Sequence, residues 1–121
     1  MKKNIMKKWV KALRSGEYVQ GKGALCRVGK EYDYFCCLGV LTDIYMQEIG
    51  DLNITTVRSS TGENIKYDLT IGNLPFKVKK WSGMKSAFGV FNRGCLSYMN
   101  DSWNKDFKEI ADIIERNWEK L

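Results

Sequence analysis

The stretch from Tyr34 to Met46, YFCCLGVLTDIYM, constrains this chain more than any other. From Cys37 to Ile49 the pattern is helical and apolar on most sides, with Thr42, Asp43, Gln47 and Glu48 as its polar members. A helix that is apolar nearly all round has to be enclosed. The rest of the chain must therefore supply walls for a central helix, which Gly50-Asp51 ends. With 121 residues, 44% of them hydrophobic, the chain is long enough for one such core and too short for two. One domain over residues 1–121 is expected.

The walls can be read on either side of that helix. Residues 3–15 form an amphipathic helix in which Ile5, Trp9 and Leu13 recur four apart, with Met6 and Ala12 beside them. Lys7, Lys11 and Arg14 form the opposite stripe, and Gly16 is a natural stop. A basic amphipathic helix suits a membrane or nucleic acid, but it reads first as a docked surface helix. Residues 105–119, capped by Ser102 or Asn104, make a closing helix that buries Phe107, Ile110, Ile114 and Trp118.

Between the helices lie strands. EYVQGKGA (17–24) is a glycine-punctuated loop or the start of a strand. Ala24–Val28 and Glu31–Cys36 read as a hairpin around Gly29-Lys30. Residues 52–58 and 65–71 are β-branched and bounded by SSTGEN, which makes a second hairpin. Pro75 starts a helical turn with Val78 and Trp81 on one side. A short strand is expected within residues 82–94, SGMKSAFGVFNRG, and a helical turn over Leu96–Asn100. The expected fold class is α+β: an antiparallel sheet of hairpins packed with an N-terminal, a central and a C-terminal helix. Trp9, Leu41, Ile44, Ile110 and Ile114 are its expected buried residues.

The chain has no histidine. That removes the commonest general base, the Ser-His-Asp triads and the Cys-His pairs. Four cysteines remain: Cys26, Cys36, Cys37 and Cys95. They lack the loop-spaced pairs and the histidine that would complete a zinc site, and Cys36 and Cys37 read as small buried hydrophobes of a reducing compartment. The pairs Asp106/Glu109 and Asp112/Glu115 read as solvated charges on the last helix. Asp43, inside the apolar helix, is the carboxylate best placed for an unusual environment. The expectation is a protein with no catalytic residues, no metal and no cofactor: a binder rather than an enzyme. No apolar run approaches the ~20 residues of a membrane span, and no signal-type apolar run follows the basic N-terminus. A cytoplasmic protein without membrane contact is expected.

Charge alternates along the chain. Residues 1–30 carry nine basic groups and one acid, and residues 76–93 carry five basic groups and none acidic. The segments between and after them are net acidic. Basic segments that meet in space attract phosphates. GKGALCR offers Gly21, Lys22, Gly23 and Arg27 for that purpose, though without Walker spacing. FGVFNRG offers more. Phe88 and Phe91 have flat faces for stacking, Asn92 matches a base edge, and Arg93 can grip a phosphate with two hydrogen bonds. Strand alternation puts Phe91 and Arg93 on one face and Asn92 on the other unless the loop bends. The candidate ligand residues are Phe91, Asn92 and Arg93, helped by Lys22, Arg27 and Lys85, around a small nucleotide bearing a pyrophosphate. Four tryptophans, six tyrosines and five phenylalanines are more than one small core hides. A homo-oligomer, at least a dimer, is expected.

The strings KKWVKALRSGEYVQGKGALCR, YFCCLGVLTDIY, LPFKVKKW and YMNDSWNKDFKEIADIIE, in that order, span nearly the whole chain. Together they resemble the phage anti-Thoeris sponge proteins, small α+β proteins that bind cyclic ADP-ribose isomers. The resemblance implies a self-associating, non-enzymatic protein that sequesters a defence signal, with ligand pockets near subunit contacts. It assigns no individual pocket residue. Two other readings stay open: a small basic phage regulator binding nucleic acid, and an inhibitor docking on a host protein.

Overall fold

A computed structural model describes residues 1–121. The fold is mixed α and β. Helix α1 (Lys3–Arg14) buries Ile5, Met6, Trp9, Val10 and Leu13 along one stripe and leaves its lysines in solvent. It packs on helix α5 (Phe107–Asn117) and on helix α2 (Cys37–Glu48). Helix α2 is the enclosed element: Cys37 to Thr42, Ile44 and Tyr45 are all buried. The Trp9 indole donates to the Cys37 carbonyl at 2.9 Å, which fixes α1 against the start of α2. Gly39 is obligatory here, because a Cβ at this position would lie 1.7 Å from the Leu25 carbonyl oxygen. The buried apolar side chains form one continuous cluster that includes Trp9, Leu41, Ile44, Ile110 and Ile114, as expected.

One sheet has strand order β1-β3-β2-β5-β4. Its strands are β1 (Val19–Gln20), β2 (Cys26–Arg27), β3 (Tyr34–Phe35), β4 (Ile54–Ser59) and β5 (Gly62–Tyr67). All pairs are antiparallel except β1–β3, a short parallel contact. Helix α3 (Phe76–Ser82) follows Pro75, with Val78 buried and the Trp81 ring edge-on to Tyr45. A second, two-stranded sheet pairs β6 (Val90–Phe91) with β7 (Gly94–Cys95), and helix α4 (Leu96–Asp101) leads toward α5. Trp118–Lys120 add a 3-10 turn, and Leu121 is buried.

Four local expectations are corrected. The first hairpin is shorter than 24–28 and 31–36: only Cys26–Arg27 and Tyr34–Phe35 are strand, because residues 28–33 curl so that Gly29 N–H reaches the Asp33 carboxylate at 3.2 Å. In the second hairpin, Ser59 pairs directly with Gly62, so Ser60-Thr61 are the loop and Gly62-Glu63-Asn64 belong to the strand. Gly62 takes this position at φ 131°, where a side chain would be strained. Helix α5 is capped by Asp106, not by Ser102 or Asn104. The Asp106 carboxylate accepts from Glu109 N–H at 2.8 Å while Glu109 reaches back to Asp106 N–H at 3.2 Å, and this reciprocal pair outcompetes a lone cap. Trp118 lies past the end of α5 and is half-buried in the 3-10 turn.

Candidate functional site

Most residues with chemical potential are occupied by the fold. Cys26, Cys36 and Cys37 are buried free thiols. Burial pushes Cys26 up to about 11 and Cys36 up to about 12, and holds Cys37 well above its ordinary value. None of the three is a thiolate at neutral pH, so none is a nucleophile there. Asp43 accepts from the Tyr18 hydroxyl at 2.5 Å and from the Gln47 amide at 2.8 Å, which ties the β1 segment to α2. Burial first, and Asp43 second, raise the Tyr18 pKa. Asp112 and Glu115 hold Arg14 at 2.6 and 3.2 Å, joining α5 to α1. Lys8 pairs with Glu48 at 2.5 Å. Part of the basic stripe of α1 is thus neutralised internally. No group of three or more acids and cysteines is placed to hold a metal ion.

The structure scatters the expected ligand residues. Lys22 bonds to the Asn104 side chain and lines a small polar hollow with Gln20, Asn100, Lys105 and Asp106. In the same glycine loop Gly21 N–H donates to Phe35 O at 2.8 Å, and Gly21 O accepts from Asn100, so this backbone is engaged rather than free for a phosphate. Arg27, on β2, reaches the Thr61 carbonyl at the tip of the β4–β5 hairpin. Lys85 lies beside the C-terminus, with its ammonium 3.4 Å from Glu119 O. These three lysine and arginine positions bond to different elements, and no hydrogen bond or ion pair joins them to the β6–β7 hairpin.

Phe91, Asn92 and Arg93 do share that hairpin. Asn92 and Arg93 form its two-residue turn, with Asn92 at φ 45°, a conformation that asparagine tolerates better than most residues. Both turn residues are exposed, and Arg93 makes no ion pair or hydrogen bond within the chain. The Phe91 ring, however, is half-buried against the core and lies over Gly94, where an added Cβ would sit 2.6 Å from it. Its face is spent on packing.

The open aromatic surface is provided by neighbours. Phe88 is 49% exposed, Val90 48% and Tyr98 60%, and with Cys95 and Ser97 they line a hollow of about 280 Å³. The hollow is built by short-range geometry. Ser86 Oγ accepts from Phe88 N–H and Val90 N–H at 3.1 and 3.3 Å, which turns the chain into β6. Leu96 N–H and Ser97 N–H bond to the Gly89 and Phe88 carbonyls at 3.0 and 3.2 Å, which fastens α4 across the hairpin. Leu96, Met99 and Asn100 face inward on α4, so Tyr98 faces out. Tyr98 is the functional candidate that composition and charge do not single out. Its only signal in the sequence is a tyrosine placed between inward-facing Leu96 and Met99.

A second aromatic hollow, of about 410 Å³, is lined by Gly29, Lys30, Glu31, Tyr32 and Tyr34. There the two tyrosine rings rest on each other at 5.3 Å. The hollow also has an acidic wall in Glu31, and Arg27 nearby is tied to Thr61. It is the weaker match to an anionic ligand.

No helix is long and apolar enough to cross a membrane. No curated protein and no solved structure matches this chain. The family model described as "Domain of unknown function (DUF8296)" matches residues 1–118, nearly the full length, and the chain therefore belongs to the DUF8296 family.

Proposed function

We propose that this protein is a non-enzymatic binder that sequesters a small pyrophosphate nucleotide of the cyclic ADP-ribose class, and so blocks a bacterial anti-phage signal in the cytoplasm of the host cell. The observation that carries the proposal is the hollow between exposed Phe88 and Tyr98, with the unpaired Arg93 at the tip of the same hairpin. At about 280 Å³ it falls just under the roughly 300–1,000 Å³ of typical small-molecule sites. It therefore suits one part of a nucleotide: a base stacks on the aromatic walls while the phosphates stay outside, near the Arg93 guanidinium. Asn92 beside it supplies a donor and an acceptor for a base or ribose edge. The resemblance to the anti-Thoeris sponges gives the ligand class, and the buried cysteines and engaged carboxylates agree with a site that does no chemistry.

A duplex-binding role is less well supported. Lys8 and Arg14, on the basic helix, are already paired with acids, and the shallow hollow that Lys7 and Lys11 line shares its wall with the acid Glu115. A phosphate-backbone binder would lose affinity steeply with salt, whereas a pocket binder loses less.

The test is direct. The purified protein is incubated with cyclic ADP-ribose isomers, desalted and denatured, and the released ligand is identified. Intact recovery of an isomer supports the proposal. Recovery of an altered product makes the protein an enzyme, and absence of uptake removes the ligand class.

A further inference from the structure

The two edges of the main sheet are unlike. The β1 edge is two residues long and offers little to pair with. The β4 edge is six residues long, and five of the six are exposed. Long open edges are normally blunted by lysine, proline, a bulge or a covering segment. Strand β4, ITTVRS, has no lysine and no proline, and it pairs residue for residue with β5 from Ile54↔Tyr67 to Ser59↔Gly62 without a bulge. Its residues are mostly β-branched, and its single charge, Arg58, is held by Glu63 at 2.5 Å.

Which main-chain groups are free follows from the ladder. Asp68 N–H donates to Asn53 O at 2.8 Å, so Asn53↔Asp68 is a hydrogen-bonded pair. Antiparallel pairs alternate between bonded and non-bonded. Thr55, Val57 and Ser59 therefore turn their N–H and C=O groups toward β5, and Ile54, Thr56 and Arg58 turn theirs outward. None of those outward groups has a partner in the chain.

We infer that β4 is a self-pairing edge: two copies of this chain join antiparallel about a two-fold axis at Thr56, extending the sheet across the dimer. The argument is one of register. In a two-fold antiparallel pair, a register centred on Thr56 sets Ile54 opposite Arg58 of the second copy, Thr56 opposite its own counterpart, and Arg58 opposite Ile54. All three outward residues then meet outward residues, giving about six new main-chain hydrogen bonds. A register centred on Thr55 or Val57 leaves one of the three unmatched. One centred on Arg58 sets two guanidinium groups opposite each other, which is repulsive. With Thr56 at the centre, each Arg58 lies between its own Glu63 and an apolar Ile54, so no like charges face each other. Ile54, half-exposed beside buried Tyr67, gains cover from the Arg58 stem of the second copy. The strand is thus complementary to itself, and the inferred occupant is a second copy of this chain rather than a foreign peptide. The inference does not rest on the nucleotide reading.

The experiment combines mass and hydrogen exchange. Sedimentation of the wild-type chain over a concentration series up to about 1 mM should show twice the 14.0 kDa chain mass at the upper end. Over the same range the amides of Ile54, Thr56 and Arg58, unpartnered in one copy, should become protected. Thr56→Lys and Thr56→Glu each place two like charges at the axis of the pair and should each be monomeric. Mixed together they should recover the dimer, because only a Thr56-centred pair sets the two substitutions opposite each other. Four results overturn the inference: a wild-type monomer throughout, a dimer whose Ile54, Thr56 and Arg58 amides stay unprotected, a dimer untouched by Thr56→Lys, or single variants that do not combine. If either variant fails to fold, the wild-type exchange data decide alone.

Discussion

Replacing Asn100 with alanine removes the hub that links three parts of the fold. Its side chain is fully buried and makes four hydrogen bonds. The amide donates to Gly21 O at 2.8 Å and to the Asp101 carboxylate at 2.9 Å, while the oxygen accepts from Gln20 at 2.8 Å and from Cys37 N–H at 3.1 Å. Cys37 N–H is a first-turn amide of α2 with no intrahelical partner, and it is buried. Leaving such a donor unsatisfied costs about 1–3 kcal/mol, and losing a net bond at Gly21 O about 1 kcal/mol more. The expected destabilisation is about 3 kcal/mol, a large share of the 5–15 kcal/mol typical of a domain. Urea unfolding at neutral pH reads it, with a fall in melting temperature of about 9–15 °C for a chain of this size. The isosteric Asn100→Asp variant adds a sign. It keeps the acceptor, cannot donate when ionised, and sits beside Asp101, so burial and that neighbour raise its carboxyl pKa in the folded state. An acid whose folded pKa is raised contributes most below its unfolded value, about 3.9, and loses that contribution as pH rises through the folded pKa. The stability gap between wild type and Asn100→Asp should therefore widen from about pH 4 to pH 8. A loss under 1 kcal/mol for Asn100→Ala, or a gap independent of pH for Asn100→Asp, would refute the hub.

Gly39→Ala places a Cβ against the Leu25 main chain and should abolish cooperative folding, read by near-ultraviolet circular dichroism; a normally folded variant contradicts the packing of α2 on β2. In the native protein only the half-exposed Cys95 should react promptly with an aromatic disulfide reagent, and all four thiols after unfolding; a second fast native thiol would show that the core around Cys36 and Cys37 opens readily. Stability should fall as pH rises above about 9. There the unfolded chain releases protons from Cys26 and Tyr45, which the folded chain retains until about 11 and 12 respectively. A flat stability profile between pH 9 and about pH 11 would contradict those burials.

Periodicity makes the helical frame legible. The four-residue recurrence of Ile5, Trp9 and Leu13 marks α1, the apolarity of residues 37–46 on most sides, broken only by Thr42 and Asp43, marks α2, and Phe107, Ile110 and Ile114 mark α5. Strand register is harder, because SSTGEN holds several turn-forming residues and only the pairing of Ser59 with Gly62 selects Ser60-Thr61. The α5 cap is misplaced by the same ambiguity, since Ser102, Asn104 and Asp106 all suit a cap and only Asp106 has a glutamate three residues on. For the candidate site, FGVFNRG marks the hairpin that carries the exposed aromatic hollow, but two-residue strands cannot announce that Phe91 packs inward while Phe88 stays open. The lysines and arginine chosen by charge, Lys22, Arg27 and Lys85, fail to converge because local charge carries no information about distance across the fold. Tyr98 escapes notice because a six-residue helix is too short to display a period.

The most direct measurement of the central claim is equilibrium binding of the captured cyclic ADP-ribose isomer to wild type and to Tyr98→Ala, Arg93→Ala and Tyr32→Ala, with ligand-free melting temperatures as the control for folding. Loss of one stacking face costs about 1–3 kcal/mol, or about 5- to 150-fold in Kd. Tyr98→Ala and Arg93→Ala should each weaken binding by at least about fivefold with unchanged melting temperatures, while Tyr32→Ala binds as wild type does. Unchanged affinity in both Tyr98→Ala and Arg93→Ala, or a loss confined to Tyr32→Ala, would contradict the site at the β6–β7 hairpin.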